Sequence, residues 1–285
     1  MPCWVGTTLI LLALGTAAAQ PPLSSGPERG TLLIDGGGAT PVVVKEFVRL
    51  AGGPDARIVV IPTGASSLRF GPKLVILDPD WPRDRKEWHE YDAHLKDWFG
   101  VSRVTILHTR DRAIADSDAF VEPLRHATGV FLSAGNAGRH AAAYRATRTQ
   151  KELEGVLHRG GVILGSSAGA IVQGSFMVRG RPDKPLLMAK GSTEGFGFLR
   201  NVAINPHLSS AKRDNELVNV CDEYPHILGI GIDDDAALLV RRNEFNVVGS
   251  GRAAIYDNQR HESGWYYWLN PGDRFDLASW RKTNP

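Results

Sequence analysis

Gly161-Val162-Ile163-Leu164-Gly165-Ser166-Ser167-Ala168-Gly169-Ala170-Ile171-Val172 is the stretch whose reading decides the fold. Val162 to Leu164 form a short apolar run of the kind that makes a buried strand. The run stops at Gly165, and the small residues after Ser167 lead into a helix. Gly165-Ser166-Ser167-Ala168-Gly169 therefore reads as G-x-S-x-G, a strand–tight turn–helix element that exposes a serine hydroxyl at its apex. Glycines flank the serine because side chains there would collide with the adjoining strand and helix. The helix start offers backbone N–H groups to a developing oxyanion.

Working outward, four more short apolar runs read as strands, and three of them end in small-residue loops. Thr31 to Ile34 runs into Asp35-Gly36-Gly37-Gly38, Arg57 to Ile61 into Pro62-Thr63-Gly64, and Gly129 to Leu132 into Ser133-Ala134-Gly135-Asn136. Val104 to Leu107 is the fourth. Between them lie helical patterns at Pro41 to Leu50, Asp84 to Phe99, Ser117 to His126 and Arg139 to Leu157. Alternating strands and helices predict a doubly wound α/β fold on a mostly parallel sheet, with ligands bound beyond the carboxyl ends of the strands. The glycine, Thr63-Gly64 and Gly135-Asn136 loops and Ser167 all fall on that edge. Further strands at Ile227 to Ile232, Ala236 to Val240 and Phe245 to Ala254, with aromatic Trp265 to Trp268, predict an antiparallel C-terminal edge. No internal repeat or linker divides the chain, so residues 20–285 read as a single domain.

The formal net charge of +2 gives no electrostatic case for nucleic acid. Residues 1–19 carry no charged side chain, have an apolar centre from Val5 to Leu14, and close on Ala17-Ala18-Ala19. This reads as a cleaved export signal, giving a secreted or periplasmic protein without stable membrane insertion. Cleavage would leave Cys221 as the single cysteine, which we read as structural. His89 and His94 lack metal-binding spacing, and the expected chemistry requires no metal or other cofactor.

A serine nucleophile needs a base, and the base needs an orienting carboxylate. His207 follows the apolar Val202 to Ile204 and the turn Asn205-Pro206, which puts it at a loop edge. Asp183, in the turn Pro182-Asp183-Lys184-Pro185, is the expected acid, with Glu194 as its rival. Asp233 to Asp235 reads as a turn between two strands. The 40 residues from Ser167 to His207 are too few for an α/β-hydrolase.

Taken together, Leu33-Ile34-Asp35-Gly36-Gly37-Gly38, Ala56 to Thr63, Phe131 to Asn136, Gly165 to Ala170, Ile204-Asn205-Pro206-His207 and Leu228 to Asp233 resemble the cyanophycinase and peptidase E family of serine exopeptidases. Members have a fold similar to class I glutamine amidotransferases. The resemblance implies Ser167 as nucleophile, His207 as base, and an acid after the serine that Asp183 matches better than Glu194. It implies an oxyanion hole from Gly135, Asn136 and the Ala168 amide, and a homodimer. It also implies acyl-enzyme hydrolysis of aspartyl peptides. Cyanophycin, a polyaspartate bearing arginine on each side chain, is the leading substrate and β-aspartyl-arginine the product. A dipeptidase acting on α-aspartyl peptides and a non-catalytic binding protein are the alternatives. Arg213 is placed to hold a substrate carboxylate. The family's Gly-Gly-Asp/Asn-Gln loop appears here as Ala134-Gly135-Asn136-Ala137, without the glutamine.

Overall fold

The computed structural model of the chain describes residues 1, 25–70, 73–76, 86–179, 194–262 and 264–283. The expected export signal lies outside these residues apart from Met1, and so does Asp183. The strands in the first half are β1 (Thr31–Asp35), β2 (Arg57–Ile61), β3 (Ser67–Phe70), β4 (Lys73–Ile76), β5 (Arg103–Ile106), β6 (Gly129–Leu132) and β7 (Val162–Ser166). Then come β8 (Gly174–Phe176), β9 (Leu199–Pro206), β10 (Leu228–Ile232), β11 (Ala236–Arg241) and β12 (Glu244–Gly249). Last are β13 (Ala253–Tyr256), β14 (Tyr267–Leu269), β15 (Arg274–Asp276) and β16 (Arg281–Thr283). The α-helices are α1 (Pro41–Leu50), α2 (Lys86–Phe99), α3 (Arg112–Ala115), α4 (Asp118–His126), α5 (Ala137–Tyr144), α6 (Arg148–His158), α7 (Ala168–Gln173) and α8 (Glu216–Glu223).

A nine-stranded sheet runs in the order β16-β15-β12-β11-β1-β7-β6-β2-β5. The strands from β1 to β5 in that order are parallel, and β11 begins an antiparallel flank on the other side of β1. This is the predicted mixed α/β architecture. The strands are apolar throughout because both faces are covered. Leu33, Ile58, Val60 and Leu164 pack under α1 and α2 with Phe47 and Phe99. Leu32, Ile34, Val59 and Ile163 face the other way, against Leu124, Leu153 and Ile171. Alternate residues of one strand thus serve two cores, as a side-chain period of two requires.

Two features depart from the sequence reading. The single helix expected from Arg139 to Leu157 is two helices, because Ala146 adopts φ 56° and Gln150 accepts its N–H at 2.8 Å. And the later strands do not all extend the main sheet. β14-β13-β10-β9-β8 form a second, five-stranded sheet, whose Leu199, Val202, Ile204 and Ile230 join the core on the α7 face. Ala253 and Trp268 therefore belong to the second sheet rather than to the antiparallel edge of the first.

The registers bring two strand ends together. In the main sheet Asp35 lies beside Ser166, so the glycine loop leaves β1 next to Ser167. In the second sheet Pro206 lies beside Ile232, so His207 and the Asp233–Asp235 turn emerge side by side. The two loops then bond to each other: Gly36 O accepts from His207 N at 3.0 Å, and Asp234 O accepts from Gly38 N at 2.8 Å.

Candidate active site

Ser167 has φ 53° and ψ −105°, a strained conformation for a residue with a side chain. Such a backbone costs about 1–3 kcal/mol and is kept where the surroundings over-determine it. They do so here. Ser167 N donates to Asp35 O at 3.1 Å, and Ser167 O accepts from Ala170 N and Ile171 N, both at 3.0 Å. A methyl on Gly165 would overlap the backbone of Gly169, and one on Gly169 would overlap that of Leu132. The glycines of the elbow are therefore required by close approach, as the motif implied.

The Ser167 hydroxyl points at a histidine. His207 Nε2 lies 2.8 Å from Ser167 Oγ, and the other ring nitrogen, Nδ1, is hydrogen-bonded to Asp234 Oδ1. Partial burial works against the charge of Asp234. Hydrogen bonds from Ser210 and His207, with the charges of His207 and Arg213, outweigh it and hold the carboxyl below its ordinary value. His207 and Asp234 keep 30% and 38% of their side-chain surface exposed, so a substrate can reach the constellation. The His207 ring packs on Gly37, where any side chain would overlap it.

Of the two acids expected from the sequence, Asp183 lies outside the described residues and Glu194 is not at His207. The carboxylate bonded to His207 comes from Asp234, after the histidine rather than between serine and histidine. Glu194 pairs instead with Arg145, both half-exposed, and also forms a bridge with Phe176. The signal for Asp234 was the acidic run closing an apolar strand at the sheet's carboxyl edge. It was read as a turn because nothing in the linear sequence says that β9 and β10 are parallel neighbours.

Ala168 is the first residue of α7, so its N–H has no intrahelical acceptor. Gly135 holds φ 126° against the backbone of Gly64 and Ala65. Asn136 is otherwise engaged: its N–H donates to Gly64 O at 2.8 Å and its side chain caps α5 by accepting from Gly138 N. That removes the Asn136 amide from the expected oxyanion set and leaves Gly135 and Ala168. Arg213 donates to Pro206 O at 3.0 Å, and its charge acts on Asp234. Beside the oxyanion loop lies a second histidine, His140. It is fully buried, with Nε2 3.0 Å from Ser133 O, and burial holds its pKa down to about 4. His108, 3.0 Å from Thr63 Oγ1, is likewise held down to about 4 by burial and the charge of Arg110. Cys221 is buried with its thiol pushed up to about 12, which fits a structural residue. Among the described residues no cluster of His, Cys, Asp or Glu has the makings of a metal site.

The profile of peptidase family S51 matches residues 32–248, a span that includes the elbow, His207 and Asp234. The chain belongs to peptidase family S51. It is accordingly a serine-type peptidase. A cyanophycinase of Geminocystis herdmanii is 26% identical over 239 residues, covering 81% of this chain and 82% of the relative. One from Synechococcus elongatus is 30% identical over 219 residues, covering 75% of this chain but only 63% of the relative. Among solved structures, a peptidase from an acI-B1 actinobacterium superposes with a TM-score of 0.64 at 22% identity, covering 88% of this chain and 98% of that one. A putative peptidase E protein of Listeria monocytogenes gives 0.53 at 15%, covering 78% and 98%. At these identities the structural likeness speaks for the S51 fold alone.

Proposed function

We propose that this chain is an exported serine exopeptidase of the S51 family that cleaves aspartyl peptides, with cyanophycin as the leading substrate, through Ser167, His207 and Asp234. The observation that carries the reading is His207 itself, with one ring nitrogen on the serine hydroxyl and the other on a carboxylate. In the first step Ser167 Oγ attacks the scissile carbonyl carbon and gives its proton to His207 Nε2. Asp234 stabilises the imidazolium that forms and holds the ring in the tautomer with Nδ1–H. The Ala168 and Gly135 amides receive the oxyanion; losing one such donor costs about 100- to 1,000-fold. Collapse expels the leaving amine, protonated by His207, and leaves an acyl-serine. Water, deprotonated by His207, then releases the acid and restores the serine.

The cyanophycinase names of the sequence relatives support the substrate. Arg213, beside Asp234 and anchored to Pro206 O, supports recognition of an aspartyl carboxylate. Export rests on the apolar leader. The test is incubation of the purified Gln20–Pro285 chain with insoluble cyanophycin and with a panel of α-aspartyl dipeptides, beside Ser167→Ala. Release of β-aspartyl-arginine by the wild type alone is the expected result. Dipeptide cleavage without loss of cyanophycin transfers the reading to an α-aspartyl dipeptidase. A folded protein silent on every substrate favours a binding role.

A further inference from the structure

Behind Ser167 lies a carboxylate that the steps above do not use. Asp35, at the end of β1, has no solvent exposure. Its Oδ2 accepts three hydrogen bonds, from Ser166 Oγ at 2.6 Å, Gly37 N at 3.0 Å and Ala39 N at 3.1 Å. Oδ1 has no partner among the described residues. A buried carboxylate with one oxygen unsatisfied is costly, and such costs persist mainly where the group has work to do.

The place of Asp35 in the loop says what that work is. Its main-chain oxygen takes the Ser167 N–H. The next residue, Gly36, takes the His207 N–H, and Gly37 backs the His207 ring. Gly38 donates to the main chain of Asp234. Four consecutive residues thus touch the serine, the histidine and the acid. Three glycines in a row have no shape of their own. The Asp35 carboxylate gives the loop its shape through two amides two and four residues on, and ties it to the elbow through Ser166.

We propose that Asp35 is a positioning residue of the catalytic site, holding nucleophile, base and acid in register through the 35–38 loop. This rests on the assignment of Ser167 as nucleophile. Desolvation pushes the Asp35 pKa up to about 6, against the hydrogen bonds from Ser166, Ala39 and Gly37 and the charge of His207. His207 is the titratable group whose charge acts on it, Ser166 on β7 bonds it, and Asp234 meets the loop through its main-chain oxygen, which accepts from Gly38. Protonation removes a negative charge near the imidazolium that forms in the first step and weakens the three bonds that shape the loop.

The test is the rate of Ser167 phosphonylation by a fluorophosphonate probe, followed from pH 4.5 to 9 and located by mass spectrometry. In that step Ser167 Oγ bonds to phosphorus, fluoride leaves, and the serine proton passes to His207. We expect Asp35→Asn to slow the reaction about 10- to 100-fold at pH 8, the scale of a small misplacement of reacting groups. We expect the wild type to show an extra inflection near pH 6, of the same depth, that Asp35→Asn lacks. Ser166→Ala, which leaves the carboxylate in place, should slow labelling less, about three- to tenfold, and keep the inflection. It carries the test if circular dichroism shows that Asp35→Asn does not fold. A folded Asp35→Asn with an unchanged rate and profile, or in its absence an unchanged Ser166→Ala, overturns the positioning role while leaving Ser167 as nucleophile. Failure of the wild type to label at Ser167 overturns the proposed function and this inference with it.

Discussion

His207 and His140 lie near the same carboxyl edge, and each has its ring against a glycine, Gly37 in one case and Gly64 in the other. Their surroundings then diverge. His207 is partly exposed, with a hydroxyl on one nitrogen and a carboxylate on the other. His140 is fully buried, with a backbone carbonyl on Nε2 and no partner for Nδ1 among the described residues. A base must accept a proton and have that charge compensated. Only His207 can do both, because burial keeps His140 neutral down to about pH 4. The residue type is therefore uninformative among nine histidines; what distinguishes a base is a charged partner on the nitrogen away from the nucleophile.

The largest test of this contrast is to truncate each ring. His207→Ala should lower kcat/KM by about 10,000-fold with little change in thermal midpoint. His140→Ala should instead lower stability by about 2–4 kcal/mol, measured by urea unfolding, and cost the folded protein less than tenfold in kcat/KM. Reversed results would exchange the two roles.

Second in size is the carboxylate. Asp234→Asn should lower kcat about 1,000- to 10,000-fold, because the amide no longer compensates the imidazolium or holds the ring's tautomer. Asp183→Asn should change kcat by less than about twofold, because His207 already has its carboxylate partner in Asp234. A large loss from the second substitution and none from the first would return the acid to position 183.

A pH titration of stability sharpens the contrast further. Asp35 binds its proton at about pH 6 in the folded chain against an ordinary 3.8. The folded state is thus favoured below about pH 4 and loses that advantage as pH rises through 6. The gap corresponds to about 3 kcal/mol. Asp35→Asn should be more stable than wild type by about that amount at pH 7.5 and equal to it at pH 4. His140 and His108 act oppositely. They are held neutral, so their contribution is present above about pH 6.5 and fades as pH falls towards 4. With Asp35 replaced, stability should decline steadily with acidification, which chemical denaturation at stepped pH would show. A variant both more stable and slower is what a positioning charge predicts.

The smallest effect belongs to Glu194. Its pairing with Arg145 is half-exposed, so Glu194→Gln should cost less than about 1 kcal/mol and leave kcat unchanged.

Local chemistry carried much of this into the sequence. The elbow, the apolar strands and their glycine-rich exits were legible because sterics demand those residue types at those spacings. Ser167 was legible as the apex of that elbow, and His207 as the residue that follows the Asn205-Pro206 turn at a strand end. The helix break at Ala146 was not, since Arg145-Ala146-Thr147 contains neither glycine nor proline and the turn depends on the Gln150 side chain. Asp234 was hidden for a different reason. Its distance from His207 is set by the pairing of β9 with β10 and by a second sheet whose existence no local pattern announced. Asp35 was visible only as the residue before three glycines. Its partner Ser166 lies 131 residues away, brought alongside by the pairing of β1 with β7.

That β1 sits between β7 and β11 has a consequence for how the enzyme comes into being. The first strand of the fold is made early and waits for both its neighbours. A nascent chain that has passed Ser167 but not yet Asp234 presents β1 with one row of backbone groups unpaired, a template for wrong partners. Such a chain also lacks Asp234, the carboxylate that bonds His207 in the folded protein. The same late segment that seals the open edge delivers the acid. On the proposed triad, proteolytic competence therefore arrives together with protection from aggregation, and a chain cut short before Asp234 has neither.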